Sequence, residues 1–244
     1  MGRKNLSPGA LTAPLPAVMV TVGDMENSNI ITVAWTGILA THPPRAYISV
    51  RPSRHSYGML KEGGEFVINL SSEKLLFATD FSGIYTGARV DKFERLSLTK
   101  LKSERVAPPT IAEAPLSLEC RVCEVLSMGT HDVFIADILS VSCDEALIDE
   151  SGKIQLDRAG LIAYAHGEYY ALGKMLGKFG FSAAKKKPLK KPVAKPIQKS
   201  AESAAPEENT SLSTEKSGKE KKSSDTAEPF YIGALKYKKR RGKK

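Results

Sequence analysis

Short apolar runs rich in β-branched residues follow one another through the first three quarters of the chain, and no long helical pattern separates them. Runs of this kind, bounded by Gly, Pro, Asn or Asp, predict β-strands. The first four read LPAVMVTVG (15–23), NIITVAW (29–35), AYISV (46–50) and EFVINL (65–70). The link between the second and third runs reads as a short polar loop that ends in a double proline. Strands that follow one another directly favour an antiparallel sheet over a doubly wound parallel one.

Later runs extend the same pattern. Residues 116–129 and 131–143 form two long β-type runs with Gly129 and Thr130 between them, which predicts a long antiparallel hairpin. Residues 160–173 supply one or two further short strands.

Helical spacing of apolar residues is confined to two short segments, 54–63 and 72–83, and Ser71 or Ser72 is a candidate cap for the second. We therefore predict a mainly β fold, a closed antiparallel (Greek-key, split) β-barrel with a few short helices.

The basic character of the chain lies in its C-terminal part. Residues 1–182 carry 18 Lys and Arg against 20 Asp and Glu, whereas residues 183–244 carry 18 against 7. The second segment consists mainly of Lys, Ala, Pro, Ser and Glu, and it cannot bury enough apolar surface to offset the entropy cost of ordering. We therefore predict a barrel domain over 1–182 and a disordered basic tail over 183–244. Such a tail suits nonspecific contact with nucleic acid or another anionic surface.

Targeting signals and disulfides are not indicated. No stretch reaches the roughly 18 apolar residues that a membrane-spanning helix needs. Pro8, Pro14 and Pro16 interrupt the apolar stretch near the start, which argues against a secretory signal. Three cysteines, an odd number, do not suggest a disulfide framework. We expect a cytoplasmic protein without a membrane-inserted segment.

Several common sites lack their sequence signatures. There is no G-x-G-x-x-G after a strand, no phosphate-binding G-x-x-x-x-G-K-[ST] loop and no G-x-S-x-G or H-E-x-x-H motif. Cys120 and Cys123 lie three apart in a predicted strand, so their side chains face opposite sides of the sheet. No second pair completes a zinc site, and we predict no metal centre.

The stretch SVRPSRHSYGMLK (49–61) is the most informative for binding. A strand ends at Arg51, the chain turns, and a helix begins near Arg54. Exposed amides at a helix start, a hydroxyl and two guanidinium groups make a good phosphate site. The alternative, weighed about evenly, is that the arginines are solvated and Ser53 only caps the helix.

Other candidate residues are ambiguous when taken singly. Trp35, the only tryptophan, lies at a strand end, where it either fills the core or faces a ligand. The segment GARVDKFERL (87–96) could lend charge and an aromatic wall to a ligand, or form a surface turn with one buried Phe. His131 and Tyr164 are by default structural residues.

These pieces, in this order, resemble the flavin reductase-like family of FMN-binding split barrels, and within it the flavoredoxins most closely. The resemblance covers about residues 10–182. It rests on three stretches, SNIITVAWTGILATHPPRAYISVRPSRHSYGMLKEGGEFVINL, DFSGIYTGARVDKFERL and LIAYAHGEYYALGKMLGKFGFS.

The resemblance implies an FMN site. Asn29 and Trp35 of the first stretch would belong to the site, and Ala34, Trp35 and Thr36 would flank the isoalloxazine ring. Residues of the following strand and helix start would hold the ribityl chain and phosphate, namely Ser49, Arg51, Arg54 and Ser56. Lys92, His131 and Tyr164 would complete the site, with Lys92 near the pyrimidine end of the ring.

The resemblance also implies an activity: an FMN-dependent oxidoreductase in which the cofactor carries the hydride, so that no catalytic side chain is required. NAD(P)H or a redox protein would be the electron donor, and the protein would be a homodimer with FMN near the subunit interface. A reductase and an electron carrier both fit. A rival interpretation from another class is a binding protein that works through its basic tail.

Overall fold

The computed structural model of the chain describes residues 2–183. Residues 2–174 belong to one compact unit. Of a second unit, the structure describes residues 175–183, which contain a short 3₁₀ turn at Phe181–Ala183. The predicted basic tail lies outside the described residues, apart from residue 183.

The described part of the chain contains twelve strands. In chain order they are β1 (Leu15–Pro16), β2 (Val18–Gly23), β3 (Ser28–Val33), β4 (Thr36–Thr41), β5 (Pro44–Val50), β6 (Glu65–Leu70), β7 (Lys100–Leu101), β8 (Thr110–Ile111), β9 (Leu116–Ser127), β10 (Asp132–Cys143), β11 (Ile162–Ala165) and β12 (Glu168–Ala171). Seven of them form one sheet in the order β3-β2-β6-β9-β10-β5-β4, and every pair in it is antiparallel. The predicted mainly β, antiparallel fold is confirmed.

The seven-stranded sheet wraps around a single core. Alternate residues of β2, namely Val18, Val20 and Val22, belong to one core cluster with residues of β3 at one edge of the sheet and of β5 near the other. Neighbouring strands lie about 4.8 Å apart, so a flat sheet would keep those strands too far apart to share one cluster. The sheet is therefore strongly curved, as a barrel requires.

The prediction of a closed barrel is corrected in one respect, because the hydrogen-bonded ladder stays open within the described residues. The edge strands β3 and β4 are not paired with each other. The chain passes directly from one to the other through Ala34 and Trp35, and that crossing separates the two edges. A hydrogen bond from Ser49 N–H to Trp35 O, at 2.9 Å, links the end of β3 to β5.

The prediction of a polar loop between residues 35 and 44 is wrong, because most of this segment forms strand β4. β4 pairs with β5 from Thr36 opposite Ile48 to Thr41 opposite Pro44, with a bulge between Ile38 and Ala40. As an edge strand it leaves Ile38 and Leu39 exposed, so its burial does not alternate. That absence of alternation hid the strand in the sequence.

Three α-helices lie between the strands of the described residues: α1 (His55–Gly63), α2 (Leu76–Ile84) and α3 (Lys92–Leu96). Short 3₁₀ turns occur at Glu73–Leu75, Glu145–Leu147 and Leu156–Arg158. α1 and the region of α2 agree with the predicted helices. The predicted serine cap does not form: Ser72 makes no capping bond, and Ser71 Oγ accepts a hydrogen bond from Thr79 Oγ1 at 2.9 Å.

Helices α2 and α3 cover the outer face of β2 and β3. Met19 and Ile30 point away from the barrel core and pack against Ala78 of α2 and Phe93 of α3. This packing leaves the end of β3, with Ala34 and Trp35, at the open edge of the barrel.

The described residues contain neither a membrane-spanning helix nor a cluster of metal ligands. Over residues 2–183, no helix is both long and apolar enough to cross a membrane, and no group of three or more His, Cys, Asp or Glu could hold a metal ion. Cys120 is fully buried whereas Cys123 is exposed, so the two thiols face opposite sides of β9 as predicted.

Candidate functional site

A cavity of about 270 Å³ opens at the unpaired edge of the barrel. Four parts of the chain line it: the N-terminal arm, the end of β3, the end of β5 with the start of α1, and the turn before β10. The lining residues are Gly9, Ala10, Ile31, Thr32, Val33, Ala34, Trp35, Ser49, Val50, Arg51, Arg54, Thr130 and His131. The cavity thus lies where the sheet fails to close.

Trp35 forms an aromatic wall of the cavity. Its carbonyl accepts from Ser49 N–H, which fixes the backbone of the crossing from β3 to β4. Its ring lies 4.6 Å from the imidazole of His131, centroid to centroid, at an interplanar angle of 45°. The indole is only partly buried, so part of it is accessible to a ligand. Trp35 is therefore both packed against His131 and exposed to the cavity.

Two arginines give the cavity a cationic part, and His131 lies between one of them and Trp35. Arg51 follows β5, and its Nε donates to His131 Nε2 at 3.3 Å. Arg54 is the residue before α1, and its backbone N–H donates to Arg51 O at 3.0 Å, which closes the turn between them. The first turn of α1 contains no acidic residue. Two arginines, one of them the residue before α1, thus line the cavity, and positive charge beside a helix start favours an anion there.

Burial and neighbouring positive charges lower the pKa of three groups in and near this part of the cavity. Burial, and secondly Arg51, lower the pKa of Arg54. Burial, with smaller effects of Arg51 and Arg54, lowers the pKa of His131. Burial and then Arg54 lower the pKa of Lys92 to about 8. A cluster of cations that repel one another is stabilised when an anion binds among them.

A buried hydrogen bond between two polar side chains holds the start of α1 against β3. Asn29 Nδ2 donates to Ser56 Oγ at 2.7 Å, which ties the start of β3 to the first turn of α1. A side chain at Gly87 would bring its Cβ to within 2.3 Å of Asn29 Oδ1, so only glycine fits there. The segment 87–96 therefore packs against the same β3 residues that position the arginine turn.

Lys92 belongs to this supporting layer. It is 3% exposed, and its Nζ donates to Ile30 O at 2.6 Å and to Ser82 O at 2.9 Å. The ammonium thus holds β3 and α2 together through two backbone carbonyls. The effect of Arg54 on its pKa associates Lys92 with the arginine part of the cavity.

The structure brings together six of the eleven residues predicted for the cofactor site. Ala34, Trp35, Ser49, Arg51, Arg54 and His131 line the cavity. The other five, Asn29, Thr36, Ser56, Lys92 and Tyr164, are not in its lining. Thr36 Oγ1 donates to Tyr47 O at 2.7 Å, and the Tyr164 ring packs edge-on against Tyr169 at 5.3 Å in the small β1-β11-β12 sheet. For these five, a role in cofactor binding stays a prediction.

Sequence reasoning missed seven lining residues, namely Gly9, Ala10, Ile31, Thr32, Val33, Val50 and Thr130. The first two lie in a segment without regular secondary structure, where no sequence pattern predicts a position. Thr130 reads in the sequence only as part of a turn, and its position next to His131 is the one signal that could have indicated it.

The cavity suits a ligand that has both an apolar planar part and an anionic part. Trp35, Ala34 and Val33 offer an apolar wall, and Arg51 and Arg54 offer charge-assisted hydrogen bonds. FMN has this form, with a planar isoalloxazine ring and a phosphate monoester. The residues present therefore fit FMN.

Comparison with known proteins agrees with this geometry. Residues 11–173 match the family model described as a flavin reductase like domain. The structure is similar to that of flavoredoxin from Desulfovibrio vulgaris (Miyazaki F), with 30% sequence identity and a TM-score of 0.70 over 75% of this chain and 100% of that one.

Two further relatives are similar to this chain in amino-acid sequence. An uncharacterised protein of Archaeoglobus fulgidus is 34% identical over 136 residues, which are 56% of this chain and 76% of the relative. The reductase component of 4-hydroxyphenylacetate 3-monooxygenase from Escherichia coli is 26% identical over 125 residues, or 51% of this chain and 71% of that protein.

Proposed function

The chain belongs to the flavin reductase-like family, and on that premise we propose that it is a flavoprotein that binds FMN in the cavity at the open edge of its barrel. The observation that carries the proposal is the pairing of an aromatic wall, Trp35, with an arginine-flanked helix start in one cavity. Riboflavin has the planar ring but no phosphate, so it would contact Trp35 without using the arginines. FMN would use both the aromatic wall and the arginines.

Each part of the cavity has a role in this proposal. Arg51 and Arg54, with the first amides of α1, hold the phosphate. The indole of Trp35 packs against the isoalloxazine ring and shields it from water on one side. The Asn29–Ser56 bond and the buried Lys92 position the helix start and do not need to touch the cofactor. When bound, the flavin supplies hydride and single-electron chemistry, so the protein's task is binding and orientation.

The reaction we propose is electron transfer through the flavin, in one of two modes. The family supports a reductase that takes a hydride from NAD(P)H. The similarity to flavoredoxin, at 30% identity over three quarters of the chain, favours an electron carrier between redox proteins. Anaerobic reduction of the FMN-loaded protein with NADH and with NADPH separates the two modes, since a carrier stays oxidised with both.

We also propose that the protein works as a homodimer. Several large apolar side chains of the described unit are strongly exposed, among them Ile38, Phe77 and Met128 at 61%, 75% and 62%. A second copy of the chain would cover such surface. Sedimentation equilibrium of the full chain tests this proposal, and a mass of one chain would refute it.

The experiment that tests the phosphate end compares FMN with riboflavin in an Arg54→Ala variant. We expect FMN affinity to fall by about 10- to 100-fold, because a hydrogen bond to a charged group contributes about 1.5 to 3 kcal/mol. Riboflavin affinity should change little, since riboflavin has no phosphate. Arg158→Ala, an exposed arginine outside the cavity lining, is the matched control. Equal losses for the two ligands would move the phosphate elsewhere.

A further inference from the structure

His131 lies where three elements meet at the cationic part of the cavity. Its ring packs on Trp35, its Nε2 accepts from Arg51 Nε at 3.3 Å, and its Nδ1 lies 3.0 Å from Thr130 Oγ1. A ring nitrogen that accepts a hydrogen bond carries no proton. The imidazole is therefore neutral in this arrangement, with its proton on Nδ1, and it occupies one of the donors of Arg51.

We propose that His131 couples the binding of a phosphate monoester to the uptake of a proton, and that this uptake releases Arg51 to the phosphate. A proton from solvent adds to His131 Nε2, so that Nε2 can no longer accept. The Nε–H of Arg51 then donates to a phosphate oxygen. No bond other than these hydrogen bonds and the new N–H changes. His131 is thus a positioning residue for Arg51, and the inference rests on the proposed binding of FMN.

The charged groups that face His131 determine the direction of the coupling. Burial lowers the pKa of His131, and the cations Arg51, at the end of β5, and Arg54, at the start of α1, lower it further. The neighbouring carboxylate, Asp132, is turned to another partner and accepts from Tyr57 Oη at 2.5 Å. From the crossing after β3, the uncharged Trp35 contacts the ring. Without a ligand, burial and then repulsion by two cations keep His131 neutral at pH 7.

A dianionic phosphate between the arginines reverses this balance. It offsets their repulsion and raises the pKa of His131 in the complex. Because the bound state then holds more protons than the free state, FMN affinity rises as pH falls through the interval between the two pKa values. Riboflavin lacks the phosphate and should show no such dependence.

The phosphate itself titrates in the opposite sense. Its second pKa lies near 6 in solution, and a cationic site favours the dianion, so FMN binding at acidic pH would release a proton. At about pH 7.5 the free phosphate is already almost wholly dianionic. Proton uptake at that pH therefore comes from the protein and not from the ligand. Lys92, with a pKa of about 8 that Arg54 helps to lower, can contribute to it, so the part that depends on His131 is the difference between the unmodified chain and a His131 variant.

The test is calorimetric titration of the full chain with FMN and with riboflavin at about pH 7.5, in buffers of different ionisation enthalpy. The dependence of the heat on the buffer gives the number of protons taken up. We expect a measurable uptake, up to about one proton per site, with FMN and none with riboflavin. His131→Gln keeps a hydrogen-bond acceptor for Arg51 but cannot take a proton, so its uptake with FMN should fall to the part that Lys92 contributes.

The control variant is His166→Asn. His166 lies in the turn between β11 and β12, outside the cavity lining, and has a φ of 52° that asparagine tolerates. It should retain the uptake of the unmodified chain. Equal uptake with FMN and riboflavin, or equal uptake in the His131→Gln variant, would overturn the coupling while leaving FMN binding established. Failure of the unmodified chain to bind FMN would refute the proposed function and this inference with it.

Discussion

At the scale of single residues, the buried ammonium of Lys92 gives the clearest link between sequence and energetics. The motif DKF places a lysine at the start of a short helix, where solvent exposure would be ordinary. Instead its Nζ binds two backbone carbonyls, and the residue is 3% exposed. The family resemblance predicted a place for Lys92 in the cofactor site, but the sequence could not show that its ammonium binds the protein's own backbone.

Lys92 should impose a distinctive pH dependence on stability. Its pKa is about 8 in the native state against 10.5 for an ordinary lysine. Between those values the unfolded chain holds a proton that the native state has lost, so the free energy of unfolding rises with pH. The difference corresponds to roughly 3 kcal/mol across the interval, at about 1.36 kcal/mol per pKa unit.

The measurement is urea unfolding of the flavin-free protein between about pH 7.5 and 10.5, compared with a Lys92→Met variant. The variant should lose this rise, and it should be less stable near neutral pH because two buried carbonyls lose their donor. Tyrosine and cysteine titrations are common to both proteins and cancel in the comparison. The same pH slope in both proteins would contradict the assigned role of Lys92.

At the scale of elements, the turn between β2 and β3 sets the start of the strand that leads to Trp35. Gly23 has a φ of 90°, and a Cβ there would lie 2.0 Å from Asn27 O and 2.7 Å from Met59 Cε. Gly129, before β10, has a φ of 79°, but a Cβ added there would meet no neighbouring atom of the described chain within 4 Å. The two glycines share a backbone conformation and differ in crowding.

This pair gives a matched test. We expect Gly129→Ala to lose about 1 to 2 kcal/mol of unfolding free energy, which is the strain of a left-handed backbone. Gly23→Ala should lose at least a further ~1 to 3 kcal/mol from overpacking. Chemical denaturation measures both. Losses of similar size would show that the β2–β3 turn relaxes around an added methyl group.

The elements that could be predicted from the sequence are those with a strong local pattern. The β9–β10 hairpin and β2, β3, β5 and β6 have long β-branched runs with clear turns between them, and they form as expected. Strand β4 was missed because an exposed edge strand has no alternating burial. Helix α3 was missed because it has only five residues and its stability comes from burying Phe93 and Lys92.

At the scale of the whole molecule, the excess of basic residues lies in a different part of the sequence from the cavity lining. The lining of the cavity comes from residues 9 to 131, all within the first compact unit. The basic residues in excess lie after residue 182. FMN binding should therefore not depend on the tail.

Deletion of residues 184–244 tests that separation. FMN affinity and the thermal midpoint of the FMN complex should match those of the full chain. Binding to a DNA duplex, if the tail makes such contacts, should be lost on deletion and should weaken steeply with salt in the full chain. A loss of FMN affinity on deletion would place part of the flavin site in the tail.

The candidate site could be predicted in its parts but not in its geometry. The resemblance to a family supplied the residue types, and the arginine turn before α1 could be derived from the sequence itself. That Trp35, Arg51 and His131 meet at the unpaired edge of the sheet depends on how seven strands curve around a common core. This curvature is set by packing across the whole barrel, which no local pattern encodes.

The most direct test of the central claim is the flavin content of the purified full chain after incubation with a mixture of FMN and riboflavin and removal of free ligand. The bound flavin is identified by its absorbance spectrum and by chromatography after denaturation. We predict one FMN per chain and little or no riboflavin. A protein without flavin, or one that retains the two ligands equally, would contradict an FMN site built from Trp35 and the arginine-flanked start of α1.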